Sequence, residues 1–238
     1  MINLADLTEN FVETISLTAI IDTALCIGAG GSSGSLADKP VVRNAKGQFL
    51  IPASQLKGRL RHECEKIAIG LGWQIFTSPS AEILCPTEEQ VEPRFREVYQ
   101  VPGYKGYHCL ISQIFGNPIL PSRIIVDDLI CPLETEDLAE VLRPGVTINR
   151  TRKTAEENKL YFLETSPVNA QLEFTGEIHL LKNSPPYTKA LISAGLHHIH
   201  ALGGSKSTGL GWLEWKELPK VENDELDIWS TLLPIKPS

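Results

Sequence analysis

Hydrophobic and polar residues alternate from Glu13 to Leu25, which predicts a strand. A Gly- and Ser-rich loop follows from Ile27 to about Gln48, and Pro52 with Ser54 opens a helix. Leu56, Leu60, Cys64, Ile67 and Leu71 recur at spacings of three and four, so they form that helix's buried stripe, and Gly70 and Gly72 end it. Residues 73 to 120 are irregular. Arg123 to Leu129 reads as a short strand and Glu134 to Leu142 as a short helix. Gly145–Arg150 and Leu160–Thr165 read as two strands joined by a charged tip, Thr151 to Lys159. Gln171 to Leu181 alternates, with Leu172, Phe174, Ile178 and Leu180 on one face. Ser184 and Pro185 supply an N-cap and an N1 proline for a helix running to about Ala201. Trp212 to Leu218 is the last strand, and an acidic, then Pro-rich tail follows Pro219.

Without the irregular stretch and the hairpin, the element order is β-α-β-β-α-β. That is the ferredoxin-like unit of an α+β protein, shared with a major class of RNA-binding domain (RRM-like). The fold hosts many functions, so the site must decide between them.

The charge pattern narrows the choice. The 238 residues carry a net charge of −7, which argues against holding nucleic acid by a bulk field. Acidic residues gather between Glu134 and Glu140 and between Glu222 and Asp227. Basic ones gather at Lys57, Arg59 and Arg61, at Arg94 and Arg96, and at Arg143, Arg150, Arg152 and Lys153. A segregated surface with one local basic face is therefore expected. Five cysteines do not suggest a disulfide framework, and Met1 to Asp6 lacks the basic start of a secretory signal. No apolar run approaches a membrane span. The expected setting is the reducing cytoplasm, with no membrane partner.

Chemistry concentrates in Gly203-Gly204-Ser205-Lys206-Ser207-Thr208-Gly209-Leu210-Gly211, with four glycines in nine residues. Such a run brings backbone close to a ligand and turns N–H groups outward, and its lysine adds a mobile positive charge. The order here is helix, loop, strand, whereas a nucleotide P-loop runs strand, loop, helix. A loop tracking a nucleic-acid backbone fits better, and a plain reverse turn is the simpler alternative. The helix start at Ile51 to Arg61 offers N–H groups and a positive dipole end to a phosphate. Lys57 and Arg61, four residues apart, form one basic ridge, which is often just a solvated face. Gly58 costs about 1 kcal/mol in a helix interior, and close approach of another backbone is one reason to keep it.

Four segments, in order, carry a family resemblance. They are Leu25-Cys26-Ile27-Gly28-Ala29-Gly30 with Leu36-Ala37-Asp38-Lys39-Pro40-Val41-Val42; Ile51 to Arg61; Gly145-Val146-Thr147-Ile148-Asn149-Arg150-Thr151 with Leu160-Tyr161-Phe162-Leu163-Glu164; and the glycine-rich loop. Together, over about residues 12 to 218, the chain resembles the repeat-associated (RAMP) proteins of CRISPR systems, and most closely the backbone subunit of type III (Csm/Cmr-like) effector complexes. The resemblance implies a single domain shaped like a right hand. Its palm would be 12–72, 122–131 and 166–218, with an insertion at 73–121, a thumb hairpin at 132–165 and a tail at 219–238. It implies subunits stacked along a CRISPR guide RNA with other effector subunits, a thumb wedged into the guide–target duplex, and cleavage of complementary target RNA by Asp38. Asp38 would hold a divalent ion such as Mg²⁺ or act as general base. Guide-backbone contacts would come from Lys57, Arg61, Gly203, Gly204, Ser205, Lys206 and Gly209, and Arg150, near the base of the thumb, would contact the duplex. Such contacts position without reading sequence.

Relatives often carry a zinc knuckle in the insertion. Here Cys85, His108 and Cys109 match parts of it, Ser112 replaces a further cysteine, and His62 or Cys64 would have to complete a tetrahedral Zn²⁺ site. The alternative is a knuckle without metal, its thiols packed as small hydrophobes. His197, His198 and His200 fit a helix end better than a ligand set. Three other functions remain open beside target cleavage: a catalytically silent backbone subunit, a repeat-RNA processing endoribonuclease using a histidine base, and a metal-binding scaffold with no RNA role.

Overall fold

The computed structural model describes residues 11–28, 38, 40–77, 81–133, 141–168 and 170–218. The expected C-terminal tail, and residues 134–140 of the expected short helix, lie outside them.

The chain folds as a mixed α+β protein. Strand β1 is Phe11–Ile21, β2 Leu50–Ile51, β3 Ile124–Val126, β4 Leu129–Ile130, β7 Leu172–Leu181 and β8 Leu213–Glu217. They form one six-stranded sheet in the order β2-β4-β7-β1-β8, with β3 also beside β7. All pairings are antiparallel. Alternation sends Ile15, Leu17, Ala19 and Ile21 of β1, and Leu172, Phe174, Ile178 and Leu180 of β7, into one core. The single strand expected over Arg123 to Leu129 is split into β3 and β4. Between them, Asp127 donates its N–H to the Glu177 carbonyl at 2.9 Å. Beside the break sits Gly176, where a Cβ would lie 2.8 Å from the Asp128 carbonyl oxygen.

Helices α1 (Ala53–Gly70) and α4 (Thr188–His197) pack together. Leu56, Leu60 and Cys64 are buried as the stripe requires, and Ala68 takes the place expected of Ile67. Gly195 permits the close crossing, since a Cβ there would meet Cys64 Sγ at 2.7 Å and Leu60 Cδ1 at 2.8 Å. The helix expected from Pro185 begins three residues later. Pro186 disfavours helical geometry at Pro185, and Ser184 Oγ instead donates to the Leu181 carbonyl at 2.6 Å, closing the turn after β7.

The insertion is part of the core. Short helices α2 (Ala81–Leu84) and α3 (Leu110–Phe115) flank two 3₁₀ turns, and Tyr99, Ile111, Ile114 and Phe115 join the palm residues in one buried cluster. Phe95 stacks with Tyr99 at 5.4 Å between centroids and with Trp73 at 5.0 Å.

Strands β5 (Val141–Asn149) and β6 (Thr154–Thr165) form a separate two-stranded hairpin, longer than the pattern predicts. Val141 and Leu142, expected at the end of a helix, are strand residues paired with Thr165 and Glu164. Leu142, Val146 and Leu160 share a face by register and are exposed. Among the described residues no helix is long and apolar enough to cross a membrane.

Candidate nucleic-acid interface

The segment Ala24 to Gly28, just past β1, joins three parts of the molecule. On one side it receives the glycine-rich loop: Gly211 N–H donates to the Ala24 carbonyl at 2.9 Å and Gly204 N–H to the Cys26 carbonyl at 2.6 Å. On the other it receives the root of the hairpin. Ser166 N–H donates to the Leu25 carbonyl at 3.0 Å, and Leu25 N–H donates to Ser166 Oγ at 2.9 Å. Leu163 packs against Ala24, Cys26 and Leu210, so hairpin and loop touch the same small cluster. Val42 N–H donates to the Ile27 carbonyl at 2.9 Å, returning the chain after Asp38 to the same seam.

The glycines of the loop serve the protein's own backbone first. Gly203 has φ +91°, and a Cβ there would lie 2.6 Å from the Cys26 carbonyl oxygen. The N–H groups of Gly204, Thr208, Gly209, Leu210 and Gly211 all donate to carbonyls within the protein. This corrects the expectation that the run turns its N–H groups outward as a whole. Ser205 to Gly209 form its exposed crest around a 3₁₀ turn, Lys206–Thr208. Lys206 Nζ donates to the Gly203 carbonyl at 3.1 Å, which engages one of its three N–H donors.

Asp38 is exposed and lies on the edge of the hairpin. Its backbone N–H donates to the Phe162 carbonyl at 3.0 Å, and Phe162 N–H donates to Asp38 Oδ2 at 2.7 Å. Oδ1 takes no part in this pairing. Arg150, expected near the base of the thumb, is instead exposed at the hairpin tip, where Asn149 Oδ1 accepts the N–H groups of Thr151 and Arg152 at 3.1 and 3.0 Å.

The helix start belongs to a different neighbourhood. The Ala53 N–H, expected to face a phosphate, donates to Asp128 Oδ1 at 2.6 Å. Lys57 Nζ donates to Ser122 Oγ at 2.8 Å and to the Ile124 carbonyl at 3.4 Å. Burial, and then the charge of Arg61, lower its pKa. Arg61 donates to Glu65 Oε1 at 3.0 Å and to the Gly116 carbonyl at 2.9 Å. The expected basic ridge is thus turned inward, Arg61 onto the insertion and Lys57 onto the segment that follows it into β3. Gly58 is exposed, and among the described residues no atom outside its own helix would come within 4 Å of a Cβ there, so no other described backbone approaches it.

The candidate zinc ligands do not fit a metal. Among the described residues, three ligand atoms of His, Cys, Asp or Glu come within 4.8 Å of one another at Asp127, Glu177 and His179 only. Cys64 lies between α1 and α4, with Sγ 3.4 Å from the Leu191 carbonyl, and burial followed by Glu63 and Glu65 pushes its thiol pKa up. Cys109 Sγ faces Ser112 Oγ at 3.5 Å, and Cys85 is half-buried. His108 is excluded by its partner. Asn117 Oδ1 accepts the N–H groups of Ile119 and Leu120 at 3.0 and 2.7 Å, which fixes the amide. Its Nδ2 then donates to the Leu84 carbonyl at 3.1 Å and to His108 Nδ1 at 2.9 Å. With Nδ1 accepting, the neutral ring carries its proton on Nε2, and neither nitrogen has a free lone pair for an ion. Burial lowers the pKa of this ring, against a smaller opposing effect of the Lys105 backbone.

Neither pattern nor motif singles out Asp128 or Asn117, and Phe162, though inside the third family segment, carries no signal there for its backbone role. The Asp127-Asp128 pair interrupting a strand was the only local signal for the first, and a backbone group at a strand edge has none. The Asp127–Glu177–His179 cluster, with His179 Nε2 3.2 Å from Asp127 Oδ2, is likewise visible only once β7 lies beside the β3–β4 break.

Comparison with known proteins agrees with this architecture. Residues 18–214 match the family model described as the RAMP superfamily, and the chain belongs to that superfamily. It is also similar to the CRISPR system Cms endoribonuclease Csm3 of Methanocaldococcus jannaschii, with 25% identity over 221 residues, covering 87% of this chain and 80% of the relative.

Proposed function

We propose that this chain is a guide-RNA-binding backbone subunit of a type III CRISPR effector complex, and that it cleaves complementary target RNA at Asp38. One observation carries the reading: the hairpin root and the glycine-rich loop meet on the Ala24–Gly28 seam, and Asp38 is hydrogen-bonded to Phe162, the neighbour of the Leu163 that packs there. The similarity to a type III endoribonuclease supports the same assignment. The sheet order β8-β1-β7-β3, with both helices packed together, supports a ferredoxin-like palm, and the hairpin is its thumb.

In this role the exposed crest of the loop, with Ser205 and Lys206, follows the guide backbone, and Arg150 at the hairpin tip contacts the duplex. The aliphatic face of Leu142, Val146 and Leu160 lies against bases and excludes water from them. Splaying a nucleotide aligns the target's 2′-oxygen, phosphorus and 5′-oxygen, and that alignment supplies much of the rate. Asp38 Oδ1 accepts the 2′-hydroxyl proton. The 2′-oxygen then bonds to phosphorus, the P–O5′ bond breaks, and the 5′-oxygen takes a proton from solvent. Only RNA carries this nucleophile. Asp38 is also the residue that would hold a divalent ion, Mg²⁺ by the hardness of its oxygen donor. Such an ion supplies charge neutralisation at the phosphate. Either use draws on Oδ1, because Oδ2 is occupied by Phe162.

Asp38→Ala in the assembled complex tests the reading. Cleavage of guide-complementary RNA is expected to disappear while assembly and target binding persist, and persistent cleavage rejects it. The Asp38–Phe162 pairing favours one rival, a silent subunit in which Asp38 only covers the hairpin edge. In that case the wild-type complex would bind target without cutting it in the presence of Mg²⁺.

A further inference from the structure

We propose that the backbone amide of Phe162 is the positioning group for the Asp38 carboxylate, so that strand β6 of the hairpin aims the cleaving residue. This rests on the reading of Asp38 as the cleaving residue. The geometry begins with the register. Phe162 lies opposite Pro144, which has no N–H to give to the ladder. A proline is tolerated there only at a non-hydrogen-bonded pair, where the partner's N–H and C=O point away from the hairpin. Such groups at an open strand edge need other partners. Both groups of Phe162 find theirs on one residue: its carbonyl accepts the Asp38 N–H at 3.0 Å and its N–H donates to Asp38 Oδ2 at 2.7 Å.

This two-point attachment fixes the backbone of Asp38 and one carboxylate oxygen together, which leaves Oδ1 with a defined direction. The strand that holds it is itself anchored. Four residues on, Ser166 exchanges two hydrogen bonds with Leu25, and Leu163 is packed against Ala24, Cys26 and Leu210. The carboxylate therefore inherits its position relative to the glycine-rich loop from the hairpin root. A hairpin that shifts as duplex seats beneath it carries Asp38 with it.

The test uses the complete RNA-bearing complex and single-turnover cleavage of guide-complementary RNA. F162P removes the donor and, opposite Pro144, leaves the β5–β6 ladder intact. F162L keeps the donor. The cleavage rate constant is expected to fall about a hundredfold in F162P, the effect of a misplaced catalytic group. Target affinity is expected to stay within about twofold, and F162L to cleave near the wild-type rate. Wild-type cleavage by F162P, in a complex that D38A inactivates, overturns the positioning role and leaves the proposed function standing. Full cleavage by D38A removes the proposed function, and the positioning role falls with it. Should F162P not assemble, hydrogen exchange at the Phe162 amide decides. Slow exchange in wild type and D38N with fast exchange in D38A supports the attachment, and equal exchange in wild type and D38A overturns it.

Discussion

The Asp128 carboxylate accepts the Ala53 backbone N–H at 2.6 Å, so the first turn of α1 is capped from the break between β3 and β4, 75 residues away in sequence. The residue preceding the helix, Pro52, offers no side-chain cap of its own, and an acidic group at a helix N-terminus also meets the positive dipole end. Asp128→Ala is expected to destabilise the protein by about 1–2 kcal/mol in urea denaturation, and Asp128→Asn by less. No change in midpoint would mean that solvent caps the helix equally well.

Lys57 gives stability an alkaline dependence. Its pKa is lowered in the folded state by burial and by Arg61, below the ordinary 10.5. Below the folded value both states are protonated, and the folded state carries the full cost of a desolvated charge. As pH rises through the folded value towards 10.5 that cost is relieved, so this residue's contribution to stability rises. Denaturation midpoints of wild type minus Lys57→Met are expected to increase across that window. A flat difference would place the amine in solvent.

Lys206 and Lys57 should separate in RNA binding. Lys57 is held by Ser122, whereas Lys206 stands on the exposed crest of the glycine-rich loop. Lys206→Ala is expected to reduce the slope of log affinity against log salt for single-stranded RNA by about 0.7, the value for one phosphate contact. Lys57→Ala should leave the slope unchanged. Equal reductions in both would show that the ridge on α1 also reaches the RNA.

The Asn117–His108 pairing predicts an insertion that folds without zinc. EDTA is expected to leave the melting temperature unchanged, while Asn117→Ala lowers stability by about 1–3 kcal/mol, through the buried groups it leaves without partners. Stoichiometric zinc in purified protein, lost in Cys109→Ser, would contradict the assignment.

How much of this could be read from the chain depends on the range of the interactions. Binary patterns placed β1, β7, β8 and α1 because alternation and the three-four stripe are local consequences of which face is buried. The start of α4 was misplaced because Ser184-Pro185 resembles a cap, while Pro186 pushes the helix onward and Ser184 closes a turn. The hairpin was recognisable, but its length was not, since Val141 and Leu142 become strand only by pairing with Thr165 and Glu164.

The sequence by itself determined the order of the long palm elements β1, α1, β7, α4 and β8, the loop carrying Asp38 and the glycine-rich run, because these are properties of consecutive residues. Tertiary structure decided what each of them faces. It turned Lys57 onto Ser122 and Arg61 onto the insertion, gave the helix start to Asp128, and used most of the loop's N–H groups within the protein. It also set Asp38 on the edge of β6. The physical reason is common to all four. A buried or edge-exposed polar group takes whichever partner the fold brings within about 3 Å, and that partner can lie anywhere in the chain.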